Sequence, residues 1–301
     1  MRERERRGLV SLSTLDRSGT DRLTSREQQE RHMNAPTAPE LLDEVRTVLA
    51  NRGAGGRIVD VLTGHNLLYV EVETADGTRE AAVVYRPEGE PPATIGRDAL
   101  AVAADAATPS ADRPLRAVGI GALNALSRPF VNWRSGDPMA PSTESVDVIA
   151  MVGLFGPVLR SFDDVEVRVF ERNPNEVSLP EGLPGGVEVT LHSPESASDV
   201  VSDADILYVT GSTLLFGGIE RYLDASPPGQ LVVLVGATAS FHPEPAFEAG
   251  VSVVAGGAIR DRPSVRDVIA GTNCQVDLHE TGLEKVYAAR EGADLSMLGL
   301  D

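Results

Sequence analysis

Apolar residues change their spacing near residue 146, and the expected architecture changes with them. From Pro39 to Asn51, Leu41, Leu42, Val45, Val48 and Leu49 recur at helical spacing and stop before Gly53-Ala54-Gly55-Gly56, which predicts an amphipathic helix. HNLLYVEVET and TREAAVVYRP are β-rich runs joined by Ala75-Asp76-Gly77, a strong hairpin signal. Ile95 to Ala107 has a helical pattern, and so does Val118 to Leu126 despite Gly119 and Gly121. Residues 39–135 are therefore expected to form a small α+β domain. WRSGDPMAPSTES, with its Gly, Pro and hydroxyl residues, is the natural linker. Beyond it, VDVIAMVG, VEVRVFER, DILYVTG, GQLVVLVG and GVSVVAGG are short, nearly continuous apolar runs rich in Val and Ile. Continuous runs mark strands buried on both faces, which is the habit of a parallel sheet covered by helices. Helical stretches fall between them, at Pro157 to Asp163, Ser196 to Ser202, Leu214 to Ala225 and Pro243 to Ala249. The expected fold class is thus α/β, a doubly wound parallel-sheet domain over 145–275 preceded by the small domain, with 276–301 as a C-terminal tail.

Residues 1–32 mix charged and polar types without periodicity and are expected to be a disordered N-terminal extension. Met33 precedes the first credible helix and stands beside Met1 as a candidate start. Cys274 is the only cysteine, which excludes an internal disulfide, a thiolate-cage zinc site and a CxxC redox pair. No apolar run approaches the roughly 18 residues of a membrane-spanning helix, and residues 1–32 have no apolar signal core, so a cytoplasmic protein that does not enter a membrane is expected. The formal charge of -18 argues against a nucleic-acid surface, which needs clustered Lys and Arg. Lys285 is the sole lysine. An acidic surface nearly without lysine suits a halophilic cytoplasm, where salt screens the self-repulsion. The expected result is an unfolding midpoint that rises with added KCl; maximal stability in dilute buffer would refute it.

In a doubly wound sheet the ligand lies outside the carboxyl ends of the strands, where the strand order reverses. The first run ends in Val152-Gly153-Leu154-Phe155-Gly156-Pro157, where Gly153 and Gly156 permit close backbone approach and Pro157 suits a helix start that would face an anion. The second ends at Glu171, close to the position about 20 residues after the first glycine turn where nucleotide-binding domains of this class bond a ribose hydroxyl. Pairing of Glu171 with Arg172 is the competing role. Thr210-Gly211-Ser212-Thr213 combines three hydroxyls with a glycine, as a polar-ligand pocket or as a helix cap. Gly236-Ala237-Thr238 opens a small, hydroxylated turn ending in His242-Pro243, where His242 is a candidate acid, base or metal ligand and equally a plain loop residue. There is no GxSxG elbow, Walker signature or HExxH, so no residue is assigned as catalytic. A metal is still conceivable on dispersed donors such as Glu171, His242 and Asp261. Asn124, an amide between Leu123 and Leu126, must find partners if buried, either on its own helix or across at the strand ends.

The ordered series AMVGLFGP, VFERNP, DILYVTGSTLLFGGIERYL, LVVLVGATASFHP and FEAGVSVVAGGAIRD resembles the Rossmann-like domain of a family named for putative heavy-metal chelation. AVGIGALNALSRP with the earlier hairpin is similar to that family's smaller, enolase-N-terminal-like domain. The resemblance implies a pocket between the two and places Gly119, Asn124, Gly153, Gly156, Glu171, Thr210, Gly211, Thr213, Gly236 and Asp261 on the family's motif positions. Phe216-Gly217 departs from the pattern, where a polar residue before the glycine is expected. The function this supports is binding of a small anionic, nucleotide-like or metal-chelating ligand between the domains, with or without catalysis. The alternatives are direct binding of a divalent or heavy metal ion and a non-catalytic sensor or scaffold; the subunit number, a homo-oligomer included, stays open.

Overall fold

The computed structural model describes residues 35–141, 146–271 and 275–300. The extension 1–32, Met33 and Cys274 lie outside the described residues. The predicted first helix is α1, Ala38–Asn51, which buries Ala38, Leu41, Leu42, Val45 and Leu49. At its start the Glu40 carboxylate accepts from the Thr37 N–H (2.8 Å) and hydroxyl (2.7 Å). These bonds hold the Glu40 carboxyl below its ordinary pKa. Strands β1 (Gly56–Thr63), β2 (Leu67–Thr74) and β3 (Arg79–Tyr85) form an antiparallel meander, turned at Gly77 with φ +83°. The hairpin follows the expectation. Strand β1 was not anticipated, because Gly-Arg-Ile-Val-Asp-Val-Leu-Thr mixes polar with apolar positions. Helices α2 (Ala99–Ala106) and α3 (Arg113–Ser127) follow, N-capped by Asp98 and Asp112.

The meander is covered on both faces. Leu68, Val70, Val72, Ala82 and Val84 join the apolar cluster of α1, α2 and α3, while Leu67, Tyr69, Ala81 and Val83 pack with Val265, Ile269, Leu278 and Leu283. Those last residues belong to α9 (Arg262–Gly271), α10 (Gln275–Thr281) and β11 (Leu283–Ala289). The small sheet is therefore wedged against the large one, with the paired residues Leu67 and Tyr85 at its leading end.

The large sheet has eight strands in the order β4-β11-β10-β9-β8-β5-β6-β7. These are β4 (Arg134–Ser135), β5 (Val148–Val152), β6 (Val165–Phe170), β7 (Val187–His192), β8 (Ile206–Thr210), β9 (Leu231–Val235), β10 (Val253–Ile259) and the strand β11 already given. β7, β6, β5, β8, β9 and β10 run parallel, so the chain winds outward from β5 in one direction and then, from β8, in the other. That order is the dinucleotide-fold order, with its reversal between β5 and β8. The central strands β5, β8 and β9 are buried almost throughout, as their continuous apolar runs require.

Two boundaries differ from the sequence expectation. The 276–301 segment is no tail: β11 pairs antiparallel with β10 along its whole length. The linker is pinned as well, since β4 pairs with β11, Met139 is buried and the Tyr208 hydroxyl donates to the Pro138 carbonyl at 2.8 Å. The crossover helices are short: α4 (Gly156–Leu159), α5 (Ala197–Val200), α6 (Thr213–Phe216), α7 (Ile219–Ala225) and α8 (Glu244–Glu248). The single helix expected over Leu214 to Ala225 is split at Gly217 and Gly218, both with positive φ. Among the described residues no helix is long and apolar enough to cross a membrane.

Candidate functional site

The carboxyl ends of β5, β6, β8 and β9 open into one crevice of about 800 Å³. Its floor is Val152-Gly153, Phe170-Glu171, Thr210 to Thr213 and Val235 to Thr238, and the Leu67–Tyr85 end of the meander faces it. Eight residues singled out in the sequence thus meet at one place: Gly153, Glu171, Thr210, Gly211, Ser212, Thr213, Gly236 and Thr238. Gly153 and Gly236 have φ of +87° and +112°, a region that residues with a side chain rarely adopt. At Gly211 a Cβ would sit 2.9 Å from the Ala239 amide nitrogen, so close packing of the two turns excludes a side chain there.

Glu171 is half-buried and serves the architecture first: one carboxylate oxygen accepts from the Leu154 N–H at 2.8 Å, tying the β5 turn to the end of β6. The hydroxyls divide. Thr213 donates to the Thr210 carbonyl (2.7 Å) and Thr238 accepts from the Tyr85 N–H (3.0 Å). Thr210 Oγ1 and Ser212 Oγ lie 3.1 Å apart and face the crevice together. No hydroxyl caps α6, and α4 and α6 are single turns, so the anion site expected at a helix N-terminus is not built here. Gly156 starts α4 outside the crevice lining.

Lining residues not singled out in the sequence are Tyr85, Glu220, Arg221 and Tyr222; Arg172, weighed there only as a partner of Glu171, and Phe216, noted there as a departure from the family pattern, line it too. Burial pushes the Tyr222 hydroxyl up to about 12, so it remains protonated at neutral pH and can donate. One Glu220 carboxylate oxygen is buried without a hydrogen-bond partner among the described residues. Arg172 does not pair with Glu171; its guanidinium lies over the Phe216 ring at 4.2 Å. Only the α6–α7 hinge glycines hinted at this group, by forcing a turn beside the strand ends.

Asn124 lies behind the crevice and outside its lining. It is fully buried, and its Nδ2 donates to the carbonyls of Ala237 (3.2 Å) and Thr238 (3.1 Å), across to the β9 turn. One helical turn on, Ser127 Oγ accepts from the His242 N–H at 2.8 Å. Helix α3 thereby holds the 236–242 loop at two points. Gly119 is a packing residue, whose missing side chain lets Ala106 of α2 sit against α3.

The metal candidates do not converge. Among the described residues no three His, Cys, Asp or Glu side chains come together as a metal site. His242 lines a separate cavity of about 330 Å³ with Glu244 and Arg290. Asp261 accepts from the Ser264 N–H (3.2 Å) and hydroxyl (2.6 Å), the role of an N-cap for α9. His242 is buried, and burial foremost, with Arg52 second, lowers its pKa below the ordinary 6.5. A lowered folded-state pKa means that its contribution to stability is intact above 6.5 and is lost as pH falls toward the folded value. Between about pH 7.5 and about pH 5.5 the urea midpoint of the wild type is expected to drop more than that of His242→Gln; parallel profiles would refute this.

Residues 139–287 match the model of the family described as "Putative heavy-metal chelation", DUF364. The match spans 149 of the 301 residues. A solved DUF364 structure of unknown function from Pyrococcus horikoshii is similar at 19% identity and TM-score 0.66, covering 83% of this chain and 100% of that one. Another, from Desulfitobacterium hafniense, is similar at 16% identity and TM-score 0.58, covering 83% and 98%. These likenesses show the fold. An uncharacterized protein of Methanocaldococcus jannaschii is 29% identical over 154 residues, which is 48% of this chain and 55% of that protein. The chain thus spans about half the length of this curated relative. In DUF364 terms the crevice gathers the β5, β6, β8 and β9 ends of the matched segment, and the meander that faces it lies before the match begins.

Proposed function

We propose that this protein binds a small polar ligand, anionic or nucleotide-like, in the crevice between the large sheet and the meander. The observation that carries the reading is the convergence of four strand ends, at the point of strand-order reversal, on one cavity faced by Leu67 and Tyr85. Backbone at Gly153 and Gly236 allows close approach, Thr210 and Ser212 offer paired hydroxyls, and Tyr222 supplies a donor. Glu171, tied to Leu154, keeps the first turn in place and leaves its second oxygen for the ligand.

Metal handling, which the family description names, fits a chelating ligand better than a protein-held ion, because the described residues offer no grouped donor set. In that case the ligand brings the metal's donors, and the protein recognises the complex. The test is native mass spectrometry of the full chain purified without added ligand. A retained species of fixed mass, absent from Ser212→Phe, is the expected result. No retained species, together with no thermal shift from a panel of nucleotides and metal chelates, would remove the reading.

A further inference from the structure

We propose that the mouth of the crevice is an anion-recognition site formed by Arg172 and Arg113 around Phe216, so that the ligand carries a phosphate or carboxylate group there. This rests on the crevice reading above and names the chemistry of one end of its ligand.

The chain has 45 Asp and Glu against 27 Lys and Arg, so an arginine on its surface readily finds a carboxylate. Arg46, Arg52, Arg57, Arg97, Arg168 and Arg221 all do. Arg172 and Arg113, like Arg134 and Arg160, are exposed and have no ion pair among the described residues. Instead the Arg172 and Arg113 guanidinium carbons lie over the same ring, 4.2 Å and 5.0 Å from the centre of Phe216. Tyr85 meets that ring edge-on at 5.9 Å, which fixes it between the meander and α6.

A cation–π contact engages the charge of a guanidinium and not its N–H donors, which remain available to an anion. The ring therefore positions two cations without consuming the hydrogen bonds that would grip an anion. Arg172 and Phe216 line the crevice, and Arg113 reaches the ring from the start of α3.

The experiment is calorimetry of the full chain with inorganic phosphate and with citrate, on wild type, Arg172→Gln, Arg113→Gln and a distant control, Arg97→Gln, each checked for an unchanged urea midpoint. At least one anion should bind wild type one to one. Arg172→Gln and Arg113→Gln should each weaken it about tenfold or more, with Arg97→Gln unchanged. Phosphate binding alone assigns a phosphorylated ligand, and citrate binding alone a carboxylated one. Failure of both anions to bind, or binding untouched by Arg172→Gln and Arg113→Gln, overturns the inference. In that event a species retained by wild type and lost from Ser212→Phe would leave the crevice reading standing, and its absence would remove both.

Discussion

Asn124→Asp should destabilise the protein by about 3 to 5 kcal/mol, although the side chain keeps its shape. The wild-type amide points its NH2 at two carbonyls, those of Ala237 and Thr238, at 3.2 and 3.1 Å in a fully buried position. A carboxylate would set negative charge against both carbonyl dipoles in a fully buried position. Asn124→Leu provides the comparison. It orphans the Thr238 carbonyl, but it also removes Asn124 Oδ1, which is already buried without a partner, so its cost should be nearer about 1 to 2 kcal/mol. The pH dependence distinguishes the electrostatic cause from a packing fault. Burial raises the introduced carboxyl's folded-state pKa above the unfolded value of about 3.9, so the variant loses stability as pH rises through the folded value and regains it on acidification. Urea unfolding at several pH values measures this. Equal losses for Asp and Leu, flat with pH, would show that the amide's polarity is not what the site needs.

The parts of the fold legible in the sequence are those whose burial leaves a one-dimensional trace. β5, β8 and β9 are buried on both faces, so Val-Ile-Ala-Met-Val, Ile-Leu-Tyr-Val-Thr and Leu-Val-Val-Leu-Val announce a parallel sheet. β7 is the edge strand, and its Val-Glu-Val-Thr-Leu-His alternates with nothing buried outright, so the same search passes over it. β11 was hidden by Glu284 and Lys285, whose charges find Arg260 and Asp137 at the sheet margin. The strand-end turns were legible for a related reason. Glycine and hydroxyl residues after a buried strand mark where the backbone must turn and stay polar, and in a doubly wound sheet those turns share one edge. Tyr222, Arg172 and Phe216 carry no such mark. Tyr222 enters the crevice because Gly217 and Gly218 fold α7 back beside β6, where Phe170 meets it edge-on at 5.3 Å, while Arg172 follows the end of β6 and Phe216 closes α6. The three metal candidates were each sound donor types, but Asp261 is used by Ser264 and His242 faces another cavity.

Gly119→Ala should destabilise the protein by about 2 to 3 kcal/mol, against the usual direction for this change. In an exposed helix interior, alanine in place of glycine gains about 1 kcal/mol from reduced backbone entropy in the unfolded chain. At Gly119 the new methyl would overlap the Cβ of Ala106 and press on Ala103 Cα at 3.4 Å, so α2 and α3 must separate. Overpacking of a rigid helix pair outweighs propensity here, because the obstructing atoms lie on or next to backbone and have no rotamer to escape into. Ala106→Gly should restore much of the loss in the double variant, with a coupling energy of at least about 1 kcal/mol in the cycle. A stabilising Gly119→Ala, or strictly additive effects, would refute the packing account. The consequence reaches the crevice through α3 itself. Asn124 and Ser127 sit on its last turns and hold the 236–242 loop, so a shifted α3 carries the Gly236 and Thr238 wall with it. Gly119→Ala should therefore also weaken retention of the crevice ligand, although no atom of residue 119 lines the cavity.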